Sequence, residues 1–143
     1  MNPERLIIFS DGGAFNNPGP AGIGLVFVNL KGEKLWQFSK FIGFKTNNQA
    51  EYEAVIEALK LAKTKFQAKQ VQILLDSKLI CEQLKGNFRI KNNQLKSLNN
   101  LAKNLQLNFE VVFFEHIPRE QNKIADFLVK KAIKNYLKTK NEK

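Results

Sequence analysis

The stretch Leu6-Ile7-Ile8-Phe9-Ser10-Asp11-Gly12-Gly13 decides the fold of this chain. Four consecutive apolar residues are typical of a buried strand, and the Asp-Gly-Gly sequence after them is a turn signal. The sheet therefore begins here, and the segments that follow indicate how it continues.

Two β-rich segments come next and predict a meander. They cover residues 21–30 and 34–44, and the turn-like stretch at residues 29–33 joins them as a hairpin. We therefore expect the first three strands to pair antiparallel in the order of the sequence.

Helical periodicity begins after the hairpin. The sequence Thr46-Asn47-Asn48-Gln49 matches a capping box, and apolar residues at helical spacing extend the predicted helix to about Phe66. This helix has an Ala-rich face, which permits close packing on a sheet. A second buried strand over residues 71–75 ends at Asp76.

The rest of the chain predicts a mixed sheet. The further elements are a short helix through Leu84 that ends near Gly86, a helix over residues 93–105, a strand over residues 109–115 and a last helix capped by Asn122. The order β-β-β-α-β-α-α-β-α indicates an α/β (mixed α+β) fold, in which helices flank a five-stranded sheet with an antiparallel three-strand meander. We expect one domain over residues 1–143, with a frayed tail at 138–143.

Composition excludes several classes of protein. The hydrophobic fraction of 43% argues against intrinsic disorder. A single Cys excludes an intrachain disulfide and a Cys-cluster zinc site, and a single His leaves no two-His metal site. No apolar run approaches the roughly 18 residues of a membrane span, and residues 1–5 do not begin a signal peptide. The sequence predicts a cytoplasmic protein without a membrane partner.

The net charge of +10 has two explanations. Lys and Asn are abundant, as expected of an AT-rich genome, so codon bias accounts for part of the charge. The alternative is a surface that binds nucleic acid. Residues 78–103 hold six cations against one acid, Glu82, which makes this stretch a candidate phosphate-facing surface.

Four acidic residues form a candidate site. The chain has only three Asp, and two of them, Asp11 and Asp76, end apolar strands, where sites gather in such sheets. Asp126 and Glu51 lie in the first turns of predicted helices, on the faces that pack against the protein. Each of the four has a simpler explanation, as a residue that serves a turn, caps a helix or favours a helix dipole. Against this, burial of an unpaired carboxylate is costly.

Four converging carboxylates repel one another unless a cation neutralises them. All-oxygen ligands select Mg²⁺ or Mn²⁺, and two such ions form a site suited to phosphoryl transfer.

These motifs resemble the type-1 ribonuclease H (ribonuclease HI) family. The resemblance rests on DGGAFNNPGPAG at residues 11–22, TNNQAEY at 46–52, Asp76-Ser77, and HIPREQNKIAD at 116–126. It covers nearly the whole chain, and the motifs occur in the family's order. It implies a ribonuclease H-like fold and cleavage of the RNA strand of RNA–DNA hybrids with two Mg²⁺ or Mn²⁺ ions, leaving 5′-phosphate and 3′-hydroxyl ends.

The resemblance also assigns roles to residues. Asp11, Glu51, Asp76 and Asp126 match the metal-binding carboxylates. The substrate-binding positions are Gly12, Asn47 and Asn48 at the RNA minor groove, Asn17 and Thr46 near a DNA-strand phosphate, and Ser77. His116 matches a histidine proposed to shuttle a proton or assist product release, with a structural role at the strand edge as the alternative. For Arg119, phosphate contact and plain solvent exposure are both open.

Two features depart from the family's pattern. The basic handle of the well-studied bacterial members is missing after Leu84, and no separate N-terminal hybrid-binding domain is expected. We expect Lys85, Arg89 and Lys91 to compensate in substrate binding. The leading hypothesis is a monomeric hybrid endoribonuclease; the alternatives are a non-catalytic nucleic-acid-binding module, or the same catalytic site acting on double-stranded RNA or on a hybrid made by a partner polymerase.

Overall fold

The computed structural model describes residues 5–141. Residues 1–4 and 142–143 lie outside it, so the predicted start of the domain and the end of the tail are not described. The elements are β1 (Leu6–Ala14), β2 (Gly19–Val28), β3 (Lys34–Lys45), α1 (Asn47–Thr64), β4 (Gln70–Leu75), α2 (Lys78–Leu84), α3 (Asn93–Gln106), β5 (Val111–His116), a short 3₁₀ helix (Arg119–Gln121) and α4 (Lys123–Asn141).

The sheet has the order β3-β2-β1-β4-β5. Strand β1 pairs antiparallel with β2 and parallel with β4, β2 pairs antiparallel with β3, and β4 pairs parallel with β5. The predicted mixed sheet with an antiparallel meander is confirmed. Strand β1 occupies its centre, so the carboxyl ends of β1 and β4 lie side by side.

Helices α1 and α4 pack on opposite faces of this sheet, and two glycines allow them to come close. A Cβ on Gly12 would lie 2.1 Å from the Ala50 carbonyl oxygen in α1, and one on Gly24 would lie 2.2 Å from that of Ala125 in α4. In the β1–β2 register, Gly24 is the partner of Asp11. Both helices therefore begin directly against the sheet, next to the end of β1.

The main core lies between the sheet and α1. It combines alternate residues of the central strands with the apolar face of the helix, for example Ile23, Ile73 and Val55, which are at most 1% exposed. A smaller cluster on the other face joins Leu128 of α4 to Val26 and Val28. Burial on both faces explains why β1 and β4 read as continuous apolar runs. Among the helices of the described residues, none is long and apolar enough to cross a membrane.

Several predicted boundaries shift. Strand β5 begins at Val111 instead of residue 109, because Phe109 and Glu110 make turn and loop backbone hydrogen bonds, to the carbonyls of Gln106 and Lys69. Helix α1 ends at Thr64, and the backbone N–H of Phe66 then bonds to the Leu61 carbonyl. The turn predicted at Asp11-Gly12-Gly13 is wrong: β1 continues through Ala14, because this stretch pairs in register with β2. Helix α4 runs through Asn141, so residues 138–141 of the predicted frayed tail are helical.

Candidate active site

An open, polar cavity lies at the carboxyl ends of β1 and β4 and at the starts of α1 and α4. Its volume is about 470 Å³. The four carboxylates predicted from the sequence all line it, namely Asp11, Glu51, Asp76 and Asp126. Asp76 directly follows β4 and Asp126 lies in the first turn of α4, as predicted. The other two placements are corrected: Asp11 lies inside β1, which continues to Ala14, and Glu51 lies in the second turn of α1, which begins at Asn47.

Three of these carboxylates form a close group. Asp11, Glu51 and Asp76 each offer an oxygen, and these oxygens lie within 4.8 Å of one another. The Gly12 backbone N–H donates to Asp11 Oδ1 at 3.0 Å and to Glu51 Oε1 at 2.9 Å. The close approach of β1 and α1 at Gly12 therefore also joins the two carboxylates.

Burial gives this group unusual electrostatics. Asp11 is 7% exposed and Glu51 is 6% exposed. Burial, together with repulsion from Asp76 and Asp126, raises the pKa of Asp11 to about 7. Burial and repulsion from Asp11 raise the pKa of Glu51 well above its ordinary value. Two carboxyls held this way resist losing their protons unless a positive charge joins them.

A divalent cation fits this group. Glu51 Oε2 is buried and makes no hydrogen bond to any residue between 5 and 141. An oxygen of this kind is costly in a stable fold but is a ready ligand for an ion. The donors are all carboxylate oxygens, which favour hard cations such as Mg²⁺ and Mn²⁺.

Asp126 lies at the edge of the close group: it is near enough to raise the pKa of Asp11 but is not one of the three mutually close carboxylates. Its Oδ2 is 3.0 Å from Lys130 Nζ, one helical turn further along α4, and its side chain is 38% exposed. Lys130 also lines the cavity, as does Arg119 on the 3₁₀ helix. The sequence interpretation overlooked Lys130, although a cation four residues after an acid on one helix is a visible signal for such a pair.

The predicted substrate residues divide into two sets. Gly12, Asn47, Asn48 and Ser77 line the cavity. Asn17 and Thr46 lie beside it and stabilise the start of α1. The Asn17 side-chain oxygen accepts from the Asn47 backbone N–H at 3.0 Å, and Thr46 forms the predicted capping box with Gln49.

Other predicted residues lie outside the cavity. Lys85, Arg89 and Lys91 are exposed on the segment between α2 and α3, and they do not line the cavity. This segment, residues 85–92, carries no helix. His116 is the last residue of β5, is exposed, pairs in register with Leu75 and is likewise absent from the cavity wall.

Asn122 occupies the predicted cap position before α4, but its side chain does not cap the helix. It directly precedes α4, and its backbone carbonyl accepts from the Asp126 N–H. Its side chain, however, donates to the Ser10 carbonyl at 2.9 Å and to Asp76 Oδ2 at 3.1 Å. Neither contact was predicted from the sequence.

The fold and the acidic cavity define a ribonuclease H-like domain, and comparisons with known proteins agree. The family model described as reverse transcriptase-like matches residues 9–132. Ribonuclease HI of Haemophilus influenzae is 32% identical over 145 residues, which cover 93% of this chain and 92% of that protein. Ribonuclease HI of Halobacterium salinarum is 35% identical over 129 residues, or 90% of this chain and 64% of that protein.

Solved structures show the same likeness. The crystal structure of RNase H1 from Halobacterium salinarum superposes with a TM-score of 0.88 at 34% identity, covering 92% of this chain and 98% of the other. LC11-RNase H1, solved in complex with an RNA/DNA hybrid, superposes with a TM-score of 0.87 at 41% identity. The match covers 92% of this chain and 99% of that chain. The chain belongs to the reverse transcriptase-like family and, within it, to the ribonuclease HI proteins.

The relatives differ in length. The bifunctional protein Rv2228c of Mycobacterium tuberculosis is 38% identical over 130 residues, which make up 90% of this chain but 35% of that protein. The chain thus spans about a third of the length of its mycobacterial relatives and just under two thirds of the Halobacterium protein.

Proposed function

We propose that this protein is an endoribonuclease that hydrolyses the RNA strand of RNA–DNA hybrids and leaves 5′-phosphate and 3′-hydroxyl ends. The observation that carries the proposal is the group of three close carboxylates, Asp11, Glu51 and Asp76, in which one buried Glu51 oxygen has no hydrogen-bond partner within residues 5–141. Its likeness to a ribonuclease H1 solved with a hybrid supports the choice of substrate.

Two Mg²⁺ ions, or Mn²⁺ in their place, are the proposed cofactors. Asp11, Glu51 and Asp76 would hold one ion, and Asp126 would help to hold the second at the edge of the group. When bound, such ions lower the pKa of water and neutralise the charge that develops on the phosphate. The protein's own contribution is to fix the carboxylates in place before any ion arrives, through the Gly12 N–H and the starts of α1 and α4.

The polar wall beside the carboxylates suits recognition of RNA. Asn47 and Asn48 lie at the start of α1 and line the cavity, together with the Gly12 backbone and Ser77. We assign Gly12, Asn47 and Asn48 to the RNA minor groove, since the 2′-hydroxyl both donates and accepts and is what distinguishes RNA from DNA there. We assign Asn17 and Thr46, next to them, to contact with a phosphate of the DNA strand.

Exposed cations extend the binding surface. Lys85, Arg89 and Lys91 lie on the α2–α3 segment, and we propose that they contact phosphates further along the hybrid. His116 is proposed to move a proton or assist product release from its place at the end of β5. The predicted single domain, monomeric state and cytoplasmic location complete the proposal.

Cleavage of labelled substrates tests this function. The panel consists of an RNA–DNA hybrid, an RNA duplex and a DNA duplex of one sequence, each with Mg²⁺ and with chelator. We expect chelator-sensitive cleavage of the RNA strand of the hybrid alone, and loss of activity in Asp11→Asn. Preferential cleavage of the RNA duplex would show that double-stranded RNA, and not the hybrid, is the substrate. Salt-sensitive binding of nucleic acid without cleavage would indicate a non-catalytic binding module. Activity that resists chelator, or that survives in Asp11→Asn, would contradict the metal site.

A further inference from the structure

We propose that Asn122 is a positioning residue of the metal site, acting through Asp76. The inference rests on the proposed function and extends it to a residue outside the cavity wall. Asn122 is 1% exposed, and its side-chain amide connects the end of β1 to the end of β4. Its backbone carbonyl also accepts from Asp126 at the start of α4. One residue thus ties together three segments that carry carboxylates.

The orientation of the amide follows from its neighbours. The Ser10 carbonyl and Asp76 Oδ2 are both acceptors, so the Asn122 NH₂ group must face them and uses both of its protons. The Asn122 Oδ1 atom then points away, is buried and has no hydrogen-bond partner among the described residues. A residue placed only for stability would not leave an acceptor buried and unbonded. The two donors are therefore the useful part of the side chain.

The contact with Asp76 has a direct consequence for metal binding. Asp76 follows β4 and is only half-buried, so the sheet alone does not fix its carboxylate. The hydrogen bond from Asn122 holds Asp76 Oδ2 in place. Because the carboxylate is planar, this also fixes the direction in which Asp76 Oδ1 points. Hydrogen-bond partners of metal ligands orient the ligands, and their loss typically costs about 10–100-fold in metal affinity.

The test measures Mn²⁺ binding by calorimetry without nucleic acid. We expect Asn122→Ala to weaken Mn²⁺ binding about 10-fold, whereas Gln121→Ala, at an exposed neighbour, leaves it unchanged. If the alanine variant does not fold, Asn122→Ser takes its place in the same calorimetric measurement, with the same expected loss of Mn²⁺ affinity.

A double-mutant cycle separates positioning from a general structural role. If Asn122 acts through Asp76, Asn122→Ala changes Mn²⁺ affinity less than about 2-fold in an Asp76→Ala background. Equal losses in both backgrounds, or wild-type affinity in a folded Asn122 variant with a lowered melting temperature, would overturn the inference. Absence of Mn²⁺ binding by the wild-type protein would instead count against the proposed function.

Discussion

Helices α1 and α4 each bring a carboxylate to the cavity, but they do so in opposite ways. Glu51 on α1 is buried, shares the Gly12 N–H with Asp11 and has one oxygen without a hydrogen-bond partner in the described part of the chain. Asp126 on α4 is partly exposed and is paired with Lys130. The α1 side is therefore buried and electrostatically strained, whereas the α4 carboxylate is partly exposed and already neutralised by a lysine. Under the proposed function, we expect metal binding to depend more on the α1 side than on the α4 side.

The largest expected effect comes from neutralising one carboxylate on each side. We expect Glu51→Gln to lower the rate of hybrid cleavage by more than about 100-fold, and Asp126→Asn by about 10-fold, because only Glu51 belongs to the close group. Initial rates at saturating Mg²⁺ measure this. Glu53→Gln is the matched control, since Glu53 lies on the same helix but pairs with Lys45, 3.4 Å away. Equal losses for Glu51 and Asp126 would remove the proposed difference between the two sides.

The strain on the α1 side predicts an unusual pH dependence of stability. The pKa of Asp11 rises from 3.8 to about 7 on folding, so the folded protein keeps a proton that the unfolded chain loses. The free energy of unfolding of the metal-free protein therefore falls as the pH rises through this range. In chelator, we expect the melting temperature to drop by about 5 °C between about pH 5 and about pH 8.

Two controls sharpen this prediction. Asp11→Asn removes the charge, so it should melt higher than the wild-type protein at about pH 8 and lose most of the decline. Excess Mg²⁺ should restore the melting temperature of the wild-type protein at the same pH, since a ligand that binds only the folded state stabilises it. A flat melting profile in chelator would show that the α1 carboxylates carry no such strain.

The close group was largely predictable from the sequence because each member follows a local rule. Asp11 and Asp76 each come just after an apolar run that forms a strand, and Glu51 lies on the apolar face of a helix behind a capping box. The turn signal at Asp11 was misleading, since β1 continues to Ala14. The contacts of Asn122 were not predictable, since its partners lie 112 and 46 residues away and only the folded sheet brings them together. The start of β5 was misplaced for a similar reason. Phe109 looks like a strand residue, but its backbone bonds close the turn after α3.

A smaller effect distinguishes two basic residues near α4. Arg119 lines the cavity and His116 does not. We expect Arg119→Ala to raise KM for the hybrid about 5–10-fold, as for loss of an exposed hydrogen bond to phosphate. His116 lies outside the cavity wall, which favours product release over proton transfer among its proposed roles, so we expect His116→Ala to lower kcat only about 3-fold. A fall in kcat of about 100-fold for His116→Ala, with an altered pH profile, would instead support proton transfer by this residue.

The smallest effect concerns Lys130, which competes with any cation for Asp126. An exposed ion pair of this kind contributes about 0.2–1 kcal/mol, so its removal can change ion affinity by only a few fold. We expect Lys130→Met to lower the Mg²⁺ concentration for half-maximal activity about 2–5-fold, and Lys131→Met, the exposed neighbour, to leave it unchanged. The difference should shrink as salt is added, because screening weakens the pair in the wild-type protein. A higher Mg²⁺ requirement in Lys130→Met would mean that Lys130 assists the site, and the α4 side would then be as preorganised as the α1 side.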